Sequence, residues 1–212
     1  MQPHFAPFAG YMRLFAAVDL FVIYDCVQFT RRGRIHRNQL LDHNNNPRWL
    51  TLPLKKEKQS IKIKDLSFSS DPIHKLKIQM NTFPCFVKSK IGEEIINATL
   101  NIEGTPVDYI SAILAMFCRF LNLPFMVIRS SSLDVCSKLK GQFRVLDILE
   151  KVGASHYVNS PSGRDLYDTH EFRSRGIDIR FQDPYVGNYW SILQRMLTEN
   201  ILELREEIYS QA

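Results

Sequence analysis

The sequence predicts an α/β fold: a Rossmann-like, mostly parallel sheet flanked by helices, with a small insertion of strands and helices. Three observations predict it. Short apolar runs such as LFVIY (20–24) read as strands buried on both faces. From residue 106 onward, helical patterns alternate with such runs, the order expected of parallel strands joined by right-handed crossovers. Hydrophobic residues make up 45% and charged residues 23%, enough for an ordinary core. With 212 residues and no visible linker, repeat or low-complexity tract, a single domain over residues 1–212 is the economical organisation.

The elements follow in order. Tyr11, Leu14, Phe15 and Val18 have helical spacing, so residues 10–18 form a helix. Leu20–Tyr24 is a buried strand that runs into Asp25. TRRGRIHRNQL reads as loop, and HNNNP (43–47) as a turn. Trp49–Leu54 is a second strand. IKIKDLSFS (61–69) alternates apolar with polar residues and reads as an edge strand guarded by lysines. Asp71-Pro72 opens a helix over 73–81. Residues 87–100 and 106–121 are helical. A strand at 125–130 ends in serines, and QFRVLDILEKVGA is an amphipathic helix with Gly153 at its C-terminal cap. HYVNS is a strand. A helix follows at 165–174, stopped by Gly176. IDIRFQ is the last strand, and one helix at 191–209 closes the chain.

Composition narrows the function classes. No apolar run approaches the roughly 18 residues of a membrane span, and the N-terminus lacks the basic-then-apolar pattern of a secretory signal, so a cytoplasmic location is expected. Cys26, Cys85, Cys118 and Cys136 are too scattered for a zinc knuckle or a redox pair, and no metal-ligand set is read. The net charge of +5 is concentrated early: Arg31, Arg32, Arg34 and Arg37, then Lys55, Lys56, Lys58, Lys62 and Lys64. No nucleic-acid-binding signature accompanies it, so no nucleic acid partner is expected. A phosphorylated small molecule suits the charge better.

In parallel sheets, ligands bind at the carboxyl ends of the strands. That rule selects Asp25 with Gln28 and the arginines, Ser130 to Ser132, and Asn159, Ser160, Ser162 and Gly163. A partly desolvated carboxylate at Asp25 suits a base, a metal or ribose contact, or an ion pair with Arg37. Arginine forks at Arg32 and Arg37, with Lys55 nearby, suit phosphate; a solvated loop face is the alternative. The Pro-rich opening, ending in Gly10-Tyr11 at a helix start, either offers backbone N–H groups to an anion or packs as a rigid cover through Phe5, Phe8 and Tyr11. SPSGRDLY offers a second anion nest at Ser160, Ser162 and Gly163 with Tyr167 beside it; a capped helix is the alternative. His36 and His156 read as structural or exposed.

QPHFAPFAGYMRLFAAVDLFVIYDCVQFTRRGRIHRNQL, then WLTLPLKK, SGRDLYDTHEF and GIDIRF, resemble the WbqC-like family of bacterial proteins, from residue 2 to about residue 193. Gln2, Pro3, Pro7, Gly10, Tyr11, Asp25, Gln28, Arg32, Gly33, Arg37, Asn38, Pro53, Lys55, Gly163, Leu166, Tyr167 and Phe172 match its pattern. Cys26, Arg34, His36 and Gln39 depart from it, where Asp, Trp, Asn and Arg are more usual. Members usually begin with a short strand before the QP loop, so that strand is expected to be missing here. The resemblance implies a cytoplasmic role beside the enzymes of lipopolysaccharide O-antigen or capsule assembly. The expected activity is transfer of an acyl or aminoacyl group to a nucleotide-linked sugar. Asp25, Tyr11 and Arg37 are the candidate catalytic residues. Gln2, Gly10, Gln28, Arg32, Asn38, Lys55, Ser160, Ser162, Gly163 and Tyr167 are the candidate binding residues. No motif names a cofactor; Mg²⁺ is a candidate companion of a phosphorylated substrate. Two alternatives stand beside this: a nucleotidyltransferase-type activating enzyme, since His4 and Tyr11 resemble the two positions of a HIGH-type element, and a non-catalytic nucleotide-sugar or partner-binding protein.

Overall fold

The computed structural model describes residues 1–87 and 90–212. The described residues form a mixed α/β structure with three two-stranded sheets. Strand β1 (Phe21–Ile23) pairs in parallel with β4 (Val127–Arg129), with Phe21 opposite Val127. Strands β2 (Arg37–Leu41) and β3 (Pro47–Thr51) form an antiparallel hairpin closed by the Asn-rich turn, where Asn45 takes φ +59°. Strand β5 (His156–Asn159) pairs in parallel with β6 (Asp178–Phe181). Among the described residues each ladder holds two strands. On the edge of β1 away from β4, the Met1 amine donates to the Val22 carbonyl at 2.8 Å, and the Tyr24 N–H donates to the Met1 carbonyl at 2.8 Å.

Helix α1 (Ala9–Ala17) and helix α4 (Pro106–Phe120) carry most of the main core. They bury Met12, Phe15, Tyr109, Ile113 and Phe117 together with Phe5 and Phe83. Tyr109 stays buried because its hydroxyl donates to the Thr99 carbonyl at 2.6 Å. Thr105 and Asp108 form a reciprocal capping box at the start of α4. Around this core lie α2 (Pro72–Met80), α3 (Lys90–Leu100), α7 (Ile192–Thr198) and α8 (Ile201–Tyr209). Residues 88 and 89, in the first turn predicted for the helix at 87–100, lie outside the described residues. A smaller core joins α5 (Gly141–Lys151), α6 (Thr169–Arg173), β5 and β6 through Leu146, Leu149, Phe172, Ile177 and Ile179.

Four local expectations change. The segment read as loop through NQL contains β2, because Asn38 and Leu40 bury their side chains despite the flanking charge. IKIKDLSFS is no ladder strand: Ile63–Asp65 is a 3₁₀ turn, and Lys62 and Phe68 make only isolated bridges to Gln28 and Leu54. The predicted helix at 165–174 divides into a 3₁₀ segment (Pro161–Leu166) and α6, with Asp168 capping His170 N–H. The single closing helix breaks at Glu199, and the Asn200 side chain caps α8 by accepting from Leu202 N–H at 2.9 Å.

Candidate functional site

Asp25 follows β1, and the serine run follows β4. Because the two strands run parallel, their carboxyl ends meet. The Asp25 carboxylate is fully buried. One oxygen accepts from Ser130 Oγ at 3.0 Å and Ser131 N at 2.9 Å. The other accepts from Arg129 Nε at 2.8 Å and Ser131 Oγ at 2.7 Å. A carboxylate has about four lone-pair sites, and all are occupied. The partner of Asp25 is therefore Arg129, which also reaches Asp108 at 2.6 Å, and not Arg37. Ser130 Oγ in turn sits 3.0 and 3.2 Å from the N–H groups of Asp25 and Cys26. This geometry makes Asp25 a clamp between β1 and β4. In this arrangement all four of its hydrogen bonds come from the protein's own donors.

The opening loop packs. Tyr11 is buried and donates to the Gln2 carbonyl at 2.9 Å; burial pushes its hydroxyl pKa well above the ordinary range. His4 stacks on Tyr11 with ring centres 4.9 Å apart. Burial, and then the charge of Arg34, lowers the His4 pKa to about 4. The start of α1 is covered by aromatic rings: Phe8 lies 5.5 Å from the Tyr185 ring and 5.1 Å from Tyr189. A Cβ at Gly10 would enter the Phe8 ring and come within 2.9 Å of Tyr185 Cβ, so Gly10 is what lets these rings close over the helix. Of the two readings of this loop, the geometry is that of the packed cover.

Asn38 belongs to the same cover. It is buried, donates to the Ala6 carbonyl, and accepts from Arg34 and from Gln39 N–H. Arg37 lies with its guanidinium carbon 4.1 Å from the Trp49 ring centre, and Nη2 donates to the Arg32 carbonyl at 2.8 Å. Arg37 therefore shapes the arginine loop from behind.

That loop fronts two adjoining cavities. The first, about 360 Å³, has a floor of Phe29, Leu52, Leu54, Ile61 and Leu66, with His36 in its wall and Arg31, Lys55, Lys56 and Glu57 among the residues lining it. The second, about 500 Å³, is lined by Gln28, Phe29, Thr30, Arg31, Arg32 and Gln59. Phe29 and Arg31 belong to both. Arg31 is steadied by the Glu57 carbonyl, and Gln28 Nε2 donates to the Gln59 carbonyl at 2.9 Å. Lys55 is exposed and 3.9 Å from Glu57. The Arg32 and Lys56 side chains have no partner among the described residues and are exposed. His36 carries a buried Nδ1 with no hydrogen-bond partner, and burial followed by the Arg37 charge lowers its pKa to about 4. The volumes are those of small-molecule sites, and the charge favours an anion.

The turn after β5 is separate from this cleft. Ser160 and Ser162 hydroxyls are 3.0 Å apart, and Gly163 packs where a Cβ would stand 2.5 Å from Asn159 Nδ2. Tyr167 packs edge-on against Tyr157 and Phe172. Tyr24, at the end of β1, comes close to Arg144 and Tyr167, and burial raises its pKa to about 12. Sequence reasoning brought Asp25 and the serines together correctly. It missed Arg129, which sits inside an apolar strand pattern, and it passed over His36.

The family model of the WbqC-like protein family matches residues 2–195. The chain belongs to that family. Among curated relatives, the WbqC-like chain is 23% identical over 188 residues to the uncharacterized protein Rv1507c of Mycobacterium tuberculosis (strain ATCC 25618 / H37Rv), covering 86% of this chain and 80% of that one. No solved structure matches. Among the described residues, no helix is long and apolar enough to cross a membrane, and no cluster of three His, Cys, Asp or Glu could hold a metal ion.

Proposed function

We propose that this WbqC-like protein binds a phosphorylated small molecule, a nucleotide-linked sugar, in the basic cleft. We read it as a transferase that adds an acyl or aminoacyl group to that sugar. Its setting would be the cytoplasmic assembly of bacterial surface polysaccharide, O-antigen or capsule, alongside other glycan enzymes. The family name, which hints at a surface-polysaccharide locus, supports the setting. One observation carries the ligand class: Arg31 is shared by two cavities of small-molecule size, Arg32 and Lys56 add charge without an ion-pair partner among the described residues, and Lys55 stands beside them paired with Glu57. Arginine forks engage two phosphate oxygens at once.

The occupied lone pairs of Asp25 shape the mechanism. Catalysis in this reading comes from holding the two reactants together and from stabilising negative charge, with the cleft cations doing the latter. Mg²⁺, where required, would arrive on the phosphates. We further read residues 1–212 as one domain, and the two parallel pairs as parts of one Rossmann-like sheet. Tyr24, just after β1, lies close to Arg144 and Tyr167 beside the β5–β6 pair, which supports that reading.

The test is thermal unfolding with nucleotide sugars, sugar phosphates and nucleotides, with and without Mg²⁺. A ligand at about 100 times its Kd adds about 2.7 kcal/mol, or roughly 5–11 °C in a chain of this size. Nucleotide sugars should give such a shift, and Arg32→Ala should abolish it without lowering the unliganded Tm. No shift with any of these ligands, or an undiminished shift in Arg32→Ala, would overturn the reading.

A further inference from the structure

The positive charge around the cleft exceeds what a diphosphate needs, and it lies on both sides of Arg31. The inference rests on the function proposed above and narrows its substrate class. Segments 28–32 and 55–62 carry six cationic side chains, Arg31, Arg32, Lys55, Lys56, Lys58 and Lys62, and one carboxylate, Glu57. That excess equals the net charge of +5 of the whole chain, so the rest of the molecule is balanced. All six cations are exposed. Arg31 and Arg32 line the larger cavity, and no carboxylate lines it with them. Arg31 also lines the smaller cavity, with Lys55, Lys56 and Glu57. Glu57 stands 3.9 Å from Lys55, and Lys56 has no ion-pair partner among the described residues. A cation without a counter-charge therefore stands on each side of the shared Arg31: Arg32 in one cavity and Lys56 in the other. A cleft lined by one sign of charge concentrates ligands of the opposite sign.

We propose that the cleft takes a nucleotide-linked acidic sugar, a uronate: the diphosphate sits at Arg31 and Arg32, and the sugar carboxylate reaches Lys56 in the adjoining cavity. A neutral sugar answers only the first of these charges and leaves Lys56 unused. The arginine forks hold two phosphate oxygens at once, whereas a lysine is a point charge that accepts a carboxylate in several orientations. Cavities of about 360 and 500 Å³, joined at Phe29 and Arg31, give room for both parts of such a ligand. Lys56 is exposed, so the gain from its contact is modest and is screened by salt. Lys58 and Lys62 line neither cavity. They add to the field that draws the anion in.

The experiment is isothermal titration of the full chain with ligand pairs that differ by one carboxylate: UDP-glucose with UDP-glucuronate, UDP-galactose with UDP-galacturonate, and GDP-mannose with GDP-mannuronate. Wild type, Arg32→Ala, Lys56→Gln and Lys58→Gln are compared at low and high salt, each checked for folding by its unfolding curve. At low salt at least one acidic member should bind wild type about three- to fivefold more tightly than its neutral partner. That preference should shrink as salt rises. Lys56→Gln should remove the preference and leave the neutral member's affinity nearly unchanged. Arg32→Ala should weaken both members by the same factor. Lys58→Gln removes the same charge from outside the cavities and should leave the preference in place. If neutral and acidic members bind alike, the acidic-sugar assignment fails while the diphosphate site stands. If Lys56→Gln weakens both members equally, or Lys58→Gln lowers the preference as much as Lys56→Gln does, the carboxylate is not seated at Lys56 and the assignment is wrong. If none of these ligands binds, the proposed function falls, and this inference falls with it.

Discussion

Replacing Asp25 by Asn separates a structural clamp from a catalytic base. The carboxylate is fully buried and receives four hydrogen bonds, two on each oxygen. An amide keeps one acceptor oxygen. Its NH₂ group must then face two donors, either Arg129 Nε with Ser131 Oγ or Ser130 Oγ with Ser131 N–H. The hydroxyls can rotate away, but the guanidinium and the backbone N–H cannot become acceptors. Arg129 also loses one of its two carboxylates and keeps only Asp108, at 2.6 Å. Removing one member of a buried ion pair costs about 3–5 kcal/mol. For a chain of this length that is a fall in Tm of about 6–20 °C. Circular dichroism or calorimetry reads it directly. Ser131→Ala removes one hydroxyl donor to that carboxylate and should cost about 1.5–3 kcal/mol, less than Asp25→Asn. If Asp25→Asn melted within about 2 °C of wild type yet lost turnover in an assay of the proposed transfer, the clamp reasoning would be refuted and Asp25 would have to act on the substrate.

Three further outcomes follow from the packing and charge. Gly10→Ala should destabilise by about 1–3 kcal/mol, because the new methyl meets Phe8 and lies 2.9 Å from Tyr185 Cβ; chemical denaturation measures it. His4 and His36 are held neutral, with pKa values lowered from 6.5 to about 4. The unfolded chain thus binds protons that the native chain refuses between these values, and stability should fall as pH drops from 6.5 to 4. Tm against pH should show that slope, and His4→Phe should flatten it. Glu207 has its pKa lowered chiefly by hydrogen bonds from Arg195. Its contribution is complete above the unfolded value of about 4.5 and is lost as pH falls through the lower native value. Glu207→Gln should therefore lower Tm at neutral pH and make the acid limb shallower.

The parts legible in the sequence are those where local pattern and burial agree. Apolar runs placed β1, β4, β5 and β6, and the amphipathic periods of 106–121 and 142–153 placed α4 and α5. Strand β2 was hidden because RNQLL carries polar residues whose burial depends on distant partners, the Ala6 carbonyl for Asn38 and Gln194 for the Leu41 N–H. The alternation in IKIKDLSFS is real, since Ile61, Ile63 and Leu66 are buried, but a 3₁₀ turn meets the same pattern without a ladder. At the site, the strand-end rule found Asp25 with Ser130 and Ser131, because it needs only strand direction. Arg129 stayed invisible because it lies within the strand pattern. His36 was read as structural or exposed, but its unpaired ring nitrogen is a property of packing that no sequence pattern shows. Arg37 was drawn to Trp49, a contact set by the β2–β3 register.

The most direct measurement is a crystal structure of the protein with a bound nucleotide sugar. The account predicts phosphate oxygens within hydrogen-bond distance of both Arg31 and Arg32. A ligand seated instead at the turn of Ser160 to Gly163 and Tyr167, with the arginine cleft empty, would contradict it.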